Sequence, residues 1–169
     1  MLPEQPQLIN PLRLAENKEQ MKGSFSLDLL ARLNGILKDN HGEVQYSLYF
    51  DFDVSGICLI ISNIDTEILL DCQRCLEPVN IQIRKRSILG LYRNLEEFGK
   101  LENNYEPIQL DEELILLESL IEDEILLAIP LAPSHSDKNC IKVEVAKKIK
   151  KKNKENPFSV LKNLKDGKV

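Results

Sequence analysis

The sequence contains no Trp and few aromatic residues, which limits the ways in which it can bind nucleic acid. Only 5% of its 169 residues are aromatic, whereas 43% are hydrophobic. We therefore expect a core built mainly from Leu and Ile, large enough for a folded domain. A broad aromatic surface on which single-stranded bases stack is not expected.

Long apolar segments are also missing. No stretch reaches the roughly 18 to 20 uncharged apolar residues needed to cross a bilayer, because acidic residues interrupt the best candidate, residues 114–129. The first eleven residues have no apolar run typical of a signal peptide. We expect a cytoplasmic protein whose four Cys residues act as thiols or metal ligands rather than as a disulfide framework.

Charge is distributed unevenly along the chain. The net charge is -5, yet residues 142–169 contain ten Lys and three acidic residues, a local charge of +7. The remaining residues 1–141 therefore carry -12. An acidic body does not coat nucleic acid with its whole surface, because Lys and Arg supply the affinity for phosphate. The basic segment either contacts RNA or is simply solvated.

Two segments have the spacing of apolar residues that is typical of helices. The first covers residues 26–38, with Ser26 as a candidate N-cap, and the second covers residues 111–128. In the second helix we expect Leu117 and Ile121 to lie in the core.

Between these segments the hydrophobic period changes to two, which is typical of half-buried strands. The predicted strands cover residues 44–53, 57–61, 64–71 and 79–91, and the polar residues 96–109 are predicted to form a loop. Consecutive short strands favour antiparallel pairing. We predict an α+β fold, a mostly antiparallel sheet from about Val44 to Arg93 packed with two or three helices.

The domain organisation follows from composition. Residues 1–141 are expected to form a single α+β domain, with two small lobes as the alternative. Residues 142–169 are expected to form a flexible lysine-rich tail that ends in a short motif containing Asn156, Pro157 and Phe158.

Cys72 and Cys75 form the sharpest local motif, at a predicted turn between two strands. This spacing directs two sulfur atoms at one ion, and His135 with Cys140 would complete a structural Cys3His zinc site. Buried or idle thiols are one alternative. Redox chemistry is another, but the flanking strands do not match the helix N-terminus that usually lowers the pKa of a reactive Cys.

Four carboxylates of the second predicted helix are the candidates for acid–base chemistry or Mg²⁺ binding: Glu118, Glu122, Asp123 and Glu124. Helical carboxylates that lie off the apolar face usually form a solvated surface, and we expect that here. The sequence also lacks a phosphate-binding Gly-rich loop and a nucleophile elbow. We therefore expect no catalytic residues.

Four separated segments resemble one protein family. They are Asp71-Cys72-Gln73-Arg74-Cys75-Leu76-Glu77-Pro78, Tyr105-Glu106-Pro107-Ile108, Leu120 to Pro130 followed by Pro133, His135 and Cys140, and Asn156 to Leu161 followed by Leu164 and Lys165. In this order the sequence resembles the YceD-like large ribosomal RNA subunit accumulation proteins. The motif positions are Arg74, Pro78, Glu122, Asp123, Glu124, Pro130, Asn156, Pro157 and Phe158.

The resemblance implies a non-enzymatic bacterial factor in ribosome biogenesis that supports the accumulation of large-subunit (23S) ribosomal RNA through its synthesis, processing or stability. Some relatives carry a fuller set of cysteines after the proline-rich segment, which looks like a zinc site. This sequence departs from that pattern, because it has only His135 and Cys140 there. The expected partners are ribosomal RNA or a pre-ribosomal particle, with a ribosomal protein or an RNA-processing enzyme as further candidates.

Direct RNA contact is assigned to the tail, where positive charge is concentrated in Lys147, Lys148, Lys150, Lys151, Lys152 and Lys154. Two alternatives remain open. One is an interaction module that acts on a ribosomal protein or a nuclease without touching RNA. The other is a small zinc-binding or redox protein that uses Cys72 and Cys75.

Overall fold

The computed structural model describes residues 8–137 and Cys140. In chain order the elements are β1 (Leu8–Ile9), α1 (Pro11–Glu16), β2 (Gln20–Ser26), β3 (Glu43–Phe52), β4 (Cys58–Asp71), β5 (Pro78–Tyr92), α2 (Leu95–Phe98), β6 (Glu106–Gln109), β7 (Ile115–Leu116) and α3 (Leu117–Ala128). The predicted tail, residues 142–169, lies outside the described residues, so the domain boundary at residue 141 stays a prediction.

A five-stranded sheet with the order β2-β3-β4-β5-β6 forms the framework. Its first four strands pair antiparallel, and β6 pairs parallel to β5. A parallel neighbour needs a longer connection than a hairpin, and α2 lies in that connection. The short strands β1 and β7 form a separate antiparallel pair. The predicted α+β fold with a mostly antiparallel sheet is confirmed.

The core lies on the inward face of this sheet. Alternation along β3 buries Val44, Leu48 and Phe50 completely, as its period-two pattern predicts. Helix α3 contributes Leu117 and Ile121, which are also fully buried. Both residues therefore lie in the core, as the helical spacing predicts.

The predicted helix over residues 26–38 is wrong. The chain forms two separate 3₁₀ turns there, Leu27–Leu29 and Ala31–Leu33. Leu27, Leu30 and Leu33 are all fully buried. Leu30 lies between the two turns with φ of -87° and ψ of 87°, which interrupts the helical backbone, so the burial of these leucines does not require a continuous helix.

The second predicted helix begins later than expected, at Leu117 instead of Asp111. Ile115 and Leu116 are extended because they pair with Ile9 and Leu8 of β1. This long-range pairing overrides the local helical pattern. No side chain caps the N-terminus of α3 with a hydrogen bond.

Other parts of the predicted secondary structure also need correction. The strands predicted at residues 57–61 and 64–71 are one continuous strand, β4, in which Ser62 is buried opposite Leu48 and Ser87. The predicted loop over residues 96–109 contains most of α2 and all of β6. Finally, α1 and β2 were not predicted.

No helix in the described part of the chain is both long and apolar enough to cross a membrane.

Candidate metal centre at the cysteine turn

The hairpin between β4 and β5 positions Cys72 and Cys75. The backbone N–H of Cys72 donates to the carbonyl of Glu77 at 2.9 Å, and the N–H of Leu76 donates to the carbonyl of Cys72 at 2.8 Å. Leu76 has a φ of 61°, in the left-handed region that non-glycine residues rarely adopt. The turn is therefore tightly folded, which fixes the spacing of the two cysteines.

A backbone contact holds a second segment at this turn. The N–H of Gln73 donates to the carbonyl of Pro133 at 2.8 Å. This bond ties Pro133, which lies two residues before His135, to the cysteine turn.

The four predicted metal ligands converge. The three sulfur atoms of Cys72, Cys75 and Cys140 and a ring nitrogen of His135 all lie within 4.8 Å of one another. Cys72 is fully buried and the other three residues are partly buried.

This donor set fits a zinc ion. Tetrahedral zinc with Zn–S distances of about 2.3 Å separates its ligand atoms by about 3.8 Å, so a spread of at most 4.8 Å needs only a small contraction. Three sulfurs and one imidazole nitrogen make a closed set of the kind found in structural zinc sites.

A fourth cysteine is kept away from this cluster. Cys58 begins β4 and is buried, and its thiol donates to the carbonyl of Pro11 at 3.6 Å. Burial raises the pKa of the Cys58 thiol to about 12. Cys58 therefore stays a neutral, unreactive thiol at ordinary pH.

Two of the four α3 carboxylates differ from the prediction. Glu122 and Glu124 are almost fully buried rather than solvated. Glu122 accepts a hydrogen bond from the backbone N–H of Arg32 at 2.8 Å, while the exposed Asp123 forms an ion pair with the Arg32 side chain. Buried carboxylates persist only where donors compensate them, and the 3₁₀ turn at Ala31–Leu33 supplies one.

Glu124 belongs to a buried ionic network that was not predicted from the sequence. Its carboxylate accepts from the amino group of Lys85 at 3.1 Å and from the hydroxyl of Ser87. The same Lys85 amino group donates to Glu106 at 3.0 Å. The alternation along β5 could have indicated this network. It places Lys85 and Ser87 at inward positions, where a charged side chain requires a buried partner.

The other motif positions lie at element ends. Arg74 is half-buried within the cysteine turn, Pro78 begins β5, and Pro130 follows the end of α3. Asn156, Pro157 and Phe158 lie outside the described residues, as do the six tail lysines Lys147, Lys148, Lys150, Lys151, Lys152 and Lys154.

Comparison with known proteins identifies relatives of the chain. Residues 62–165, well over half of its length, match the family model described as large ribosomal RNA subunit accumulation protein YceD. The chain is 29% identical over 173 residues to the large ribosomal RNA subunit accumulation protein YceD of Haemophilus influenzae, with 95% of each protein covered. No solved structure shows a significant match. The chain therefore belongs to the YceD family of large ribosomal RNA subunit accumulation proteins.

Proposed function

We propose that this chain is a non-enzymatic binding factor that supports the accumulation of large-subunit ribosomal RNA in the cytoplasm, where that RNA is made. The family match carries the proposal, because it covers residues 62–165 and includes all four residues of the cysteine turn cluster. The relative in Haemophilus influenzae bears the same description and aligns along nearly the whole chain.

A binding role rather than a catalytic role is supported by what the buried acidic and thiol groups contact. Glu122 and Glu124 accept hydrogen bonds from Arg32, Lys85 and Ser87, so they hold elements together. The thiol of Cys58 has a pKa of about 12, which keeps it protonated and poorly nucleophilic.

The cysteine cluster is proposed to hold a structural zinc ion. Cys72, Cys75, Cys140 and His135 would supply four ligands, which leaves no position for a catalytic water. A bound zinc stabilises the deprotonated sulfurs and contributes to folding free energy.

Elemental analysis of the full chain, purified without a histidine tag under reducing and chelator-free conditions, tests the zinc site. We expect about one zinc per chain, and a loss of most of it in the double variant Cys72→Ser/Cys75→Ser. Cys58→Ala is the matched control, because Cys58 is a buried cysteine outside the cluster. Zinc well below one per chain in the parent protein contradicts the site.

Crosslinking in living cells, followed by sequencing of the bound RNA, tests the proposed RNA role directly. We expect enrichment of large-subunit ribosomal RNA or its precursor over small-subunit RNA. Equal recovery of both, at the level of an untagged strain, contradicts direct contact with the RNA.

The lysine-rich tail is the proposed source of sequence-independent affinity. Lysine side chains release counterions from phosphates, so affinity should fall with salt. Replacing Lys147, Lys148, Lys150, Lys151, Lys152 and Lys154 by Gln should weaken RNA binding and flatten its dependence on salt, while the melting temperature of the body stays nearly unchanged. An unchanged affinity and salt slope would remove the tail from the mechanism.

A partner protein is the second candidate for the binding function. The charge of -12 over residues 1–141 suits a basic ribosomal protein, because complementary charge speeds association. This candidate gains support if crosslinking recovers no ribosomal RNA but the chain still co-purifies with large-subunit precursors.

A further inference from the structure

The outward face of the five-stranded sheet carries a concavity of about 850 Å³. Strands β2, β3, β4 and β5 all contribute to its lining. At the other end of this face, residues 101–105 cover Gly90, where an added Cβ would lie 2.6 Å from Leu101 and 3.2 Å from Tyr105. The concavity is thus the open part of a face that is otherwise partly covered.

The lining side chains are arranged in two cross-strand rows. In the first row, Ser47 and Asn63 lie side by side, with Lys22 beyond one end and Arg86 beyond the other. The second row runs in the same order through Ser24, Gln45, Asp65 and Arg84. Residues two apart on a strand share a face, so both rows point to the same side of the sheet.

Two of the cations in these rows are available for a ligand. Lys22 and Arg86 are exposed, and among the described residues neither forms an ion pair. Arg84 is also exposed, and its Nε atom lies 3.3 Å from the Asp65 carboxylate, an exposed pair that contributes little.

The charge of this concavity is opposite to that of the body. Three cations line it from the outward face, Lys22, Arg84 and Arg86, with one acidic residue, Asp65, whereas the Lys85 side chain points to the inward face. Because Lys85 is committed to Glu106 and Glu124, three cations remain to face a ligand. In a body whose charge is -12, a local concentration of positive charge focuses anions onto this face.

We infer that this concavity binds the phosphodiester backbone of single-stranded RNA. Lys22, Arg84 and Arg86 would neutralise phosphates, while the hydroxyl of Ser47 and the amide of Asn63 would donate hydrogen bonds to phosphate or sugar oxygens between them. A phosphodiester chain has the negative charge that these cations attract, whereas residues 142–169 carry +7. The inference rests on the proposed role in RNA binding and adds a second contact surface on the folded body.

The length of the rows determines how much RNA the concavity can contact. Neighbouring strands are about 4.8 Å apart, so a row across four strands places Lys22 and Arg86 about 14 Å from each other. That span accommodates several nucleotides of one extended strand. Contacts of this kind orient the RNA without reading its sequence.

RNA binding by the full chain, measured by fluorescence anisotropy with a short single-stranded RNA of mixed sequence, tests the inference. The variant K22Q/R84Q/R86Q removes the three phosphate-binding cations. Each phosphate contact contributes about 0.7 to the slope of log affinity against log salt, so we expect the slope to fall by about 2. Affinity near 0.1 M salt should fall roughly ten- to hundredfold.

The matched control is R13Q/K38Q/K100Q, which changes the net charge equally at three exposed cations outside the concavity. We expect it to bind RNA nearly as the parent does. A second variant, Asn63→Asp, adds a carboxylate directly opposite Arg86 with little change in shape and should also weaken binding. Melting temperatures establish that each variant is folded.

The outcomes separate this inference from the proposed function. Equal losses in the concavity variant and in its control indicate a long-range effect of net charge and overturn the inference. Full binding by the concavity variant, with a loss only in the six-lysine tail variant, overturns the inference and leaves the RNA role intact. Failure of the parent chain to bind any RNA overturns both.

Discussion

The amino group of Lys85 lies 3.1 Å from the carboxylate of Glu124 on the inward face of the sheet. Glu124 is only 3% exposed, and the Lys85 side chain only 17%. Because Lys85 also contacts Glu106 at 3.0 Å, one buried cation joins β5, α3 and β6. The Glu124 carboxylate also accepts a hydrogen bond from the hydroxyl of Ser87.

Removal of the cation should therefore be costly. In Lys85→Met the Glu124 carboxylate stays buried without its cation, and we expect the free energy of unfolding to fall by about 3 to 5 kcal/mol. Urea denaturation followed by circular dichroism measures it. Lys18→Met is the control, because its pair with Asp51 is largely exposed and should contribute about 1 kcal/mol or less. Similar losses in both variants would contradict a buried network.

The same network predicts a dependence of stability on pH. Burial alone would lower the pKa of Lys85, but hydrogen bonds with Glu106 and Glu124 outweigh burial and raise that pKa above its ordinary value. The folded state therefore holds this proton more tightly than the unfolded state does. The stabilisation is fully present below the ordinary Lys pKa of about 10.4 and is lost as pH rises through the folded value.

The difference in unfolding free energy between the parent and Lys85→Met measures this effect, because the other lysines are common to both proteins. We expect the difference to be constant near neutral pH and to shrink above about pH 10.4. A difference that grows in this range would show that the sign of the pKa shift is wrong.

The strands were predictable because period two is a strong local signal. Val44 to Phe52 alternates between the two faces. The structure buries Val44, Tyr46, Leu48 and Phe50 as the pattern predicts, whereas Phe52 at the end of the strand is 36% exposed. The helix prediction for residues 26–38 was wrong because spacings of three and four residues are hard to distinguish over a short segment. Leu27, Leu30 and Leu33 have a spacing that is compatible with a helix, but the backbone at Leu30 is not helical and divides the segment into two 3₁₀ turns.

The site was predicted only where sequence spacing carries its geometry. Two cysteines three positions apart predict a shared ion, and the structure places the donor atoms of His135 and Cys140 within 4.8 Å of them, whereas the zinc ion itself stays a prediction. The burial of Glu122 and Glu124 was not predictable from α3 alone, because their donors come from Arg32, Lys85 and Ser87 on other elements. The concavity depends in the same way on the register of four strands.

The inward face of α3 provides a direct test of the core. Leu117 is completely buried, so Leu117→Asp places an unpaired charge in an apolar environment and should cost several kcal/mol. Leu127→Asp makes the same chemical change at a position of α3 that is 71% exposed and should cost about 0.5 kcal/mol or less. Thermal melts of the two variants should differ clearly, and equal melting temperatures would show that the buried face is misassigned.

The last prediction concerns a short polar contact in the turn before β3. The ring of His41 is hydrogen-bonded through Nδ1 to the carboxylate of Asp39, and this bond together with the attraction of the carboxylate raises the pKa of His41. The same bond lowers the pKa of Asp39. A raised pKa means that the folded state favours the protonated ring. The stabilisation from this contact is therefore fully present below the ordinary His pKa of about 6.5 and is lost as pH rises through the pKa of the folded state.

NMR titration can follow this contact, because the chain has two histidines and the variant His41→Asn identifies which signal belongs to His41. We expect a midpoint for His41 above 6.5 in the parent and a lower midpoint in Asp39→Asn, where the ring loses its anionic partner. Both residues are exposed, so salt should reduce the difference by screening. If His41 titrates at the same pH in the parent and in Asp39→Asn at low salt, the Asp39 carboxylate does not determine the pKa of His41.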